Sequence, residues 1–242
     1  MAEATNNDTQ ANGAKTGPRE RYRAQVRAEI KECAWRQMAE AGASALSFNA
    51  VAKQMGMTGP ALYRYFASRD DLITELVKDA YRSLADTMRA SVDAGPDPAA
   101  LGHAMRAWAL ADPQRYFLAF GTPVPGYHAP GEITRIADEV MASMLAAFAA
   151  LPAGGLPARG PATPFETHLE GHREWADGHA SPATLRRVLA FWTRLHGAVS
   201  LELAGHFTGM GFDPARLFAA ELDDLLAGVG VRAEEAAPAT RP

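Results

Sequence analysis

The residues with the most evident chemistry lie near the start of the 242-residue chain. Tyr63, Arg64 and Tyr65 interleave two phenols with a guanidinium, a combination suited to phosphate oxygens and to base edges. Leu62 and Phe66, four apart, mark the inward stripe of the same stretch, so the two tyrosines are assigned to the surface and to phosphate contact. Just upstream, Thr58 is either an N-cap alone or a cap whose hydroxyl also meets a phosphate or base, and Gly59 and Pro60 either merely start a helix or offer a close backbone approach and an apolar ring for a thymine methyl. Arg64 is either a reader of guanine edges or a solvated surface charge. Ser47, Lys53 and Arg69 are positioning contacts to phosphate. Arg19, Arg21 and Arg23 form either a phosphate or minor-groove arm or a solvated basic run.

Other constellations are weaker. His168 and His172 are spaced i, i+4, with Glu166, Glu170 and His179 nearby, a spacing that can hold a metal. The HExxH pattern is absent, and the stretch reads as a polar surface, so no metal site is assigned. There is no GxGxxG, GxxxxGK[ST], GxSxG or CxxC, and no enzyme or cofactor is expected. The single cysteine, Cys33, excludes a disulfide framework and a cysteine-ligated zinc; on an apolar stripe it reads as a buried structural thiol. No run approaches 18 apolar residues and the N-terminus lacks an apolar signal core, so no membrane association is expected and the expected address is cytoplasmic.

The elements that must position these residues are helices. Alanine occurs 50 times, and no sustained period-2 alternation of β-branched residues marks a strand. Val26, Ile30, Cys33, Ala34 and Met38 form one stripe over about 19–41, ended by Gly42. Ser47 caps a short helix carrying Val51, Ala52 and Met55, which ends at Gly56. Thr58 caps a third helix, and Ser68 with Asp71 caps a fourth. Further helices are expected at about 98–111, 113–120, 131–150, 165–176, 182–207 and 214–228, with loops at 121–131 and 151–164. The fold class is all-α. Segment 1–18 and segment 231–242 are expected to be disordered, 19–68 to form a helix-turn-helix DNA-binding domain, and 69–230 a helical ligand-binding and dimerisation domain.

Charge follows the same division. The chain carries a net charge of −4, yet residues 15–69 hold ten Lys or Arg against four Glu, a local +6. The average conceals a basic end on an acidic helical body.

Over roughly 20–72 the chain resembles the TetR/AcrR family of bacterial transcriptional regulators. The resemblance rests on Gly42, Ser47, Val51-Ala52, Gly56-Met57-Thr58, Leu62-Tyr63, Tyr65-Phe66 and Leu72. The family's commonest form has Lys where this chain has Arg69. Trp192, His196-Gly197 and Leu201-Glu202 resemble the "WHG" type of TetR C-terminal domain. The resemblance implies a repressor that binds a palindromic double-stranded operator as a homodimer and is released by a small molecule. It implies pairing through the helices at about 182–207 and 214–228, and the fourth helix (about 69–93) as the lever. Trp108, Phe117, Phe120, Met144, Phe148, Trp192 and His196 are candidates to line the effector pocket, although core and pocket draw on the same residue types. Two alternatives stay open: a helical small-molecule-binding dimer that has lost DNA binding, and a metal sensor using His168 and His172.

Overall fold

The computed structural model describes residues 17–121, 124–151, 162–176, 178 and 180–227, and every regular element among them is helical. The chain divides into two compact units between Leu72 and Ile73. The segment 1–16, the end of the chain from 228, His179 and most of the 151–164 loop lie outside the described residues.

The first unit is built on α1 (Pro18–Ala41), α2 (Phe48–Gln54), α3 (Gly59–Leu62) and the opening turn of α4 (Arg69–Ala94). Helix α1 begins inside the segment expected to be a tail. Pro18 sits where a missing N–H costs nothing, and the Gly17 N–H donates to Glu20 Oε2 at 3.0 Å. Its stripe is buried as the spacing predicts: Val26, Ile30, Cys33, Ala34 and Met38. Ser47 caps α2 by accepting from the Ala50 N–H. Gly56 then turns the chain with φ +63°, a conformation costly for residues with a Cβ. Helix α3 is a single turn. Thr58 occupies its N-cap position in extended conformation, but its hydroxyl makes no capping bond, contrary to expectation. At α4, Ser68 Oγ accepts from the Asp71 N–H at 3.0 Å, and Asp71 reaches back one residue further than a capping box would, to the Ala67 N–H at 2.8 Å.

The second unit comprises the rest of α4 with α5 (Pro98–Ala111), α6 (Pro113–Phe120), α7 (Gly131–Ala149), α8 (Pro164–Glu170), α9 (Pro182–Leu203) and α10 (Pro214–Ala227). Five of these open with proline at the first turn, and Asp97, Asp112, Thr163 and Ser181 cap four of them. The helix expected over 165–176 breaks at Gly171, a poor helix former, and resumes only as a 3-10 turn at Glu174–Ala176. Helix α9 stops at Leu203 rather than 207, where the chain turns through Gly205. One core unites Leu84, Met88, Leu101, Met105, Met144, Phe148, Phe191, Leu195, Phe218 and Leu222. Two arginines tie its helices together. Arg106 grips Glu202 with Nε at 2.9 Å, and Arg194 holds Glu221 with Nε at 2.8 Å. Among the described residues no helix is long and apolar enough to cross a membrane.

Gly102 on α5 is buried where α9 and α10 converge: a Cβ there would lie 3.1 Å from methyl carbons of both Leu195 and Leu222. Gly102→Val should therefore lower the unfolding free energy by about 1–3 kcal/mol, because two packed leucines must move to admit it. Urea denaturation followed by circular dichroism reads this; an unchanged midpoint would show that the three helices are not closely packed there.

Candidate functional site

Among the sequence-predicted residues, Thr58, Pro60, Tyr63 and Arg64 are exposed on and just after α3, with Gly59 half-buried between them. The Tyr63 ring packs on Phe48 of α2 at a centroid distance of 4.8 Å and is still 55% exposed, so its phenol faces outward from a fixed base. Tyr65 is only half-buried, between the exposed Arg64 and the wholly buried Phe66. Ser47 and Lys53 are exposed at the two ends of α2. Arg19, Arg21 and Arg23 are exposed on the first turns of α1, so they stand on a helix rather than on an extended arm.

Two of the predicted contacts have structural work as well. Arg23 donates from Nη2 to the carbonyl of Arg64 at 3.0 Å, tying α1 to the segment after α3. Arg69 donates from Nε to the Leu46 carbonyl at 2.8 Å and from Nη2 to that of Ser44 at 3.2 Å, spanning the loop before α2. The sequence reading missed a third residue of this kind. Arg27 donates to the Tyr65 carbonyl and lays its guanidinium 4.1 Å from the centre of the Phe66 ring. Its position one residue after the stripe residue Val26 was the only available signal. Cys33 is the structural thiol expected: it donates to Gln54 Oε1 at 2.8 Å, and burial pushes it up from its ordinary pKa, keeping it protonated as that donor.

The second unit contains a cavity of about 210 Å³. Phe120, Met144 and Trp192 line it, as does Met141, and they are joined by Tyr81, Asp138 and Trp175, which the sequence did not single out. The other pocket candidates sit elsewhere. Trp108 and Phe148 are buried in the core, Phe117 packs half-buried against it, and His196 lies against the two rings that line the cavity. His196 is 3.9 Å from Trp192 and 4.4 Å from Phe120 by ring centres. The Tyr116 hydroxyl is 2.9 Å from its Nδ1 and 2.5 Å from Ser200 Oγ, while its Nε2 finds no hydrogen-bond partner among the described residues. Burial in this aromatic setting pushes the imidazole down to about 4, so it is neutral, and its Nδ1 shares a hydrogen bond with the Tyr116 hydroxyl. The His168 and His172 rings lie 4.2 Å apart by centres, tilted by 31°, but the His172 Nδ1 is 2.9 Å from the His168 carbonyl. Among the described residues no group of three or more His, Cys, Asp or Glu side chains is arranged to hold a metal.

Comparison with known proteins adds to this geometry. Residues 30–76 match the family described as "Bacterial regulatory proteins, tetR family", and residues 98–225 match "Tetracyclin repressor-like, C-terminal domain". The chain is 36% identical over 224 residues to an HTH-type transcriptional regulator of Mycobacterium tuberculosis and to its counterpart in Mycobacterium bovis, covering 88% of this chain and 96% of either relative. The crystal structure of the regulatory protein SCO4313 is similar with 64% identity and a TM-score of 0.80, over 87% of this chain and 99% of that one. A protein of unknown function from Rhodococcus sp. RHA1 shares the fold at 18% identity and a TM-score of 0.62, over 91% of this chain and 100% of its own.

The His196 environment has a consequence for stability. In the unfolded chain the imidazole titrates near 6.5; in the fold it stays neutral to about 4. Between these values the unfolded state binds a proton that the folded state refuses, so stability falls as pH drops through that window. His196 should account for a loss of ~2–3 kcal/mol from pH 7 to pH 4, which His196→Gln removes while keeping a hydrogen-bonding partner for Tyr116. Chemical denaturation of both proteins across this range measures it; parallel curves would contradict it.

Proposed function

The chain belongs to the TetR family of bacterial helix-turn-helix transcriptional regulators, a non-enzymatic class, and on that premise we propose that it represses from a palindromic operator as a homodimer until a small molecule releases it. The observation that carries the DNA-binding part is the outward row Thr58, Pro60, Tyr63 and Arg64, held on a backbone that Arg23 and Arg27 fix from α1. A fixed backbone is what base reading requires, because a hydrogen bond to a base edge tolerates little displacement. In this reading Arg64 contacts bases, and Tyr63, Thr58, Ser47 and Lys53 contact phosphate. Gly59 lets the chain approach the groove and Pro60 meets a thymine methyl. Tyr65 adds a further phosphate contact. Arg19, Arg21 and Arg23 supply positive charge along α1, and Arg69 holds the loop before α2 more than it holds DNA. Helix-turn-helix dimers set their half-sites about 34–36 Å apart, one turn of DNA.

The dimer part is supported by α9. Thr193, Gly197 and Leu201 follow one another at helical spacing and are all exposed, with Leu201 at 44%. A small residue between a polar and an apolar one suits close packing of a second helix, and α10 lies beside α9 to complete the surface. The effector part is supported by the cavity in the same unit, with α4 running on from the recognition unit into it. An effector acts only by binding one dimer geometry better than the other. A cytoplasmic address follows from this role.

Tyr63→Phe keeps the ring on Phe48 and removes only the hydroxyl. It should weaken binding to every DNA sequence alike by about 2- to 10-fold, the value of one hydrogen bond. Arg64→Ala should instead cost about 1–3 kcal/mol on the preferred site and little elsewhere, relaxing base preference. Gel shifts on preferred and scrambled DNA separate the two; wild-type behaviour from both variants would overturn the assignment of this surface.

A further inference from the structure

We infer that the effector cavity takes a compact lipophilic monocation, an aryl-alkyl ammonium, with its charge between Asp138 and the tryptophan faces. This inference names the ligand class for the effector reading above and rests on it. Four rings, Tyr81, Phe120, Trp175 and Trp192, wall the cavity, and two thioethers, Met141 and Met144, complete its apolar lining. Among the described residues the only formal charge on that lining is the Asp138 carboxylate. Among them no lysine, arginine or histidine lines the space to receive an anion. Two arginines of α4 are committed: Arg82 and Arg89 both pair with Glu139, the residue after Asp138. Asp138 itself makes no hydrogen bond or ion pair among the described residues.

Each observation selects against a different ligand. An anion would meet four aromatic side chains and a carboxylate, with no compensating cation among the described lining residues. A neutral hydrocarbon would fit the walls and leave the carboxylate unused. A cation gains from both: aromatic side chains can hold it by their ring faces, and the carboxylate neutralises it. Asp138 is exposed at the edge of the cavity, so a bound ammonium keeps water on one side and is spared most of the cost of full burial. The volume of about 210 Å³ lies below the usual range of roughly 300–1,000 Å³ for drug-sized pockets, which points to a single-ring compound. The exposed Trp175 stands at the wall like an unfinished side of an aromatic cage that a ligand would complete.

The test uses the full chain and three probes of similar size: benzyltrimethylammonium, its uncharged carbon isostere 2,2-dimethylpropylbenzene, and phenylacetate. Thermal shift and tryptophan emission give the affinities. The cation should bind about 3- to 30-fold more tightly than the isostere, with phenylacetate weakest. Asp138→Asn should lower the cation-to-isostere ratio by about 3- to 10-fold, and Trp175→Ala, a change at an exposed ring, should lower it as well. Equal or tighter binding of the isostere or of phenylacetate, a ratio untouched by Asp138→Asn, or no binding of any probe would overturn the inference. Gel shifts of the operator complex with the same probes separate this from the reading it rests on. Cation binding at Asp138 that leaves the operator complex intact at saturation would refute release and keep the ligand class. Release by phenylacetate or by the isostere, without cation binding, would refute the class and keep release.

Discussion

A one-turn helix has no stability of its own, and the function argued for this chain depends on what holds that turn still. Helix α3 is four residues long, and the segment behind it continues as turns to Phe66. Two side chains anchor it from within, Leu62 and Phe66, both fully buried. Two guanidinium groups anchor it from α1, Arg23 on the carbonyl of Arg64 and Arg27 on that of Tyr65. A third, Arg69, holds the loop before α2 through the carbonyls of Ser44 and Leu46. Arginine suits this role because its several fixed donors can satisfy carbonyls that no helix or sheet has claimed. The outcome is an exposed row of side chains, those proposed to meet DNA, on a firmly held backbone.

Much of this arrangement was legible in the chain, for identifiable reasons. The stripe of α1 was readable because helical periodicity records a buried face directly. Ser47, Ser68 and Asp71 announced helix starts because capping is local chemistry. Tyr63 was correctly turned outward once Leu62 and Phe66 were seen to occupy the inward face. Thr58 shows the limit of local rules: its type and position suit a cap, yet its hydroxyl makes no capping bond. Arg27 and Arg69 show another. Their partners are carbonyls 38 and 23 residues away, and no pattern of residue types records which carbonyl a folded chain brings near. The cavity was the least readable part. Tyr81, Asp138 and Trp175 come from three separate elements, and Trp108 and Phe148, of the same residue types, went to the core instead.

The second unit combines firmness with one concentrated polar site. Most of its interior is apolar; of its inter-helix ion pairs, Arg106–Glu202 is largely buried and Arg194–Glu221 lies toward the surface. The Tyr116–His196–Ser200 cluster differs: three polar side chains meet, and His196 among them packs against Phe120 and Trp192. A neutral histidine there holds the Tyr116 hydroxyl without the cost of a buried charge. The rings it touches are the rings that line the cavity, so the cavity wall is backed by hydrogen-bonded structure rather than by loosely packed apolar groups. The charge division completes the contrast: a basic first unit suited to phosphate, and an acidic second unit whose cavity holds a carboxylate.

The central claim is that the first unit reads DNA sequence, and does so in pairs. Selection of binding sites from a random double-stranded library by the purified chain, followed by sequencing, tests this most directly. The account predicts enrichment of a palindromic consensus with half-sites centred about 10 base pairs apart or at a multiple of that spacing. Recovery of DNA with no consensus, or with a single unpaired half-site, would contradict it.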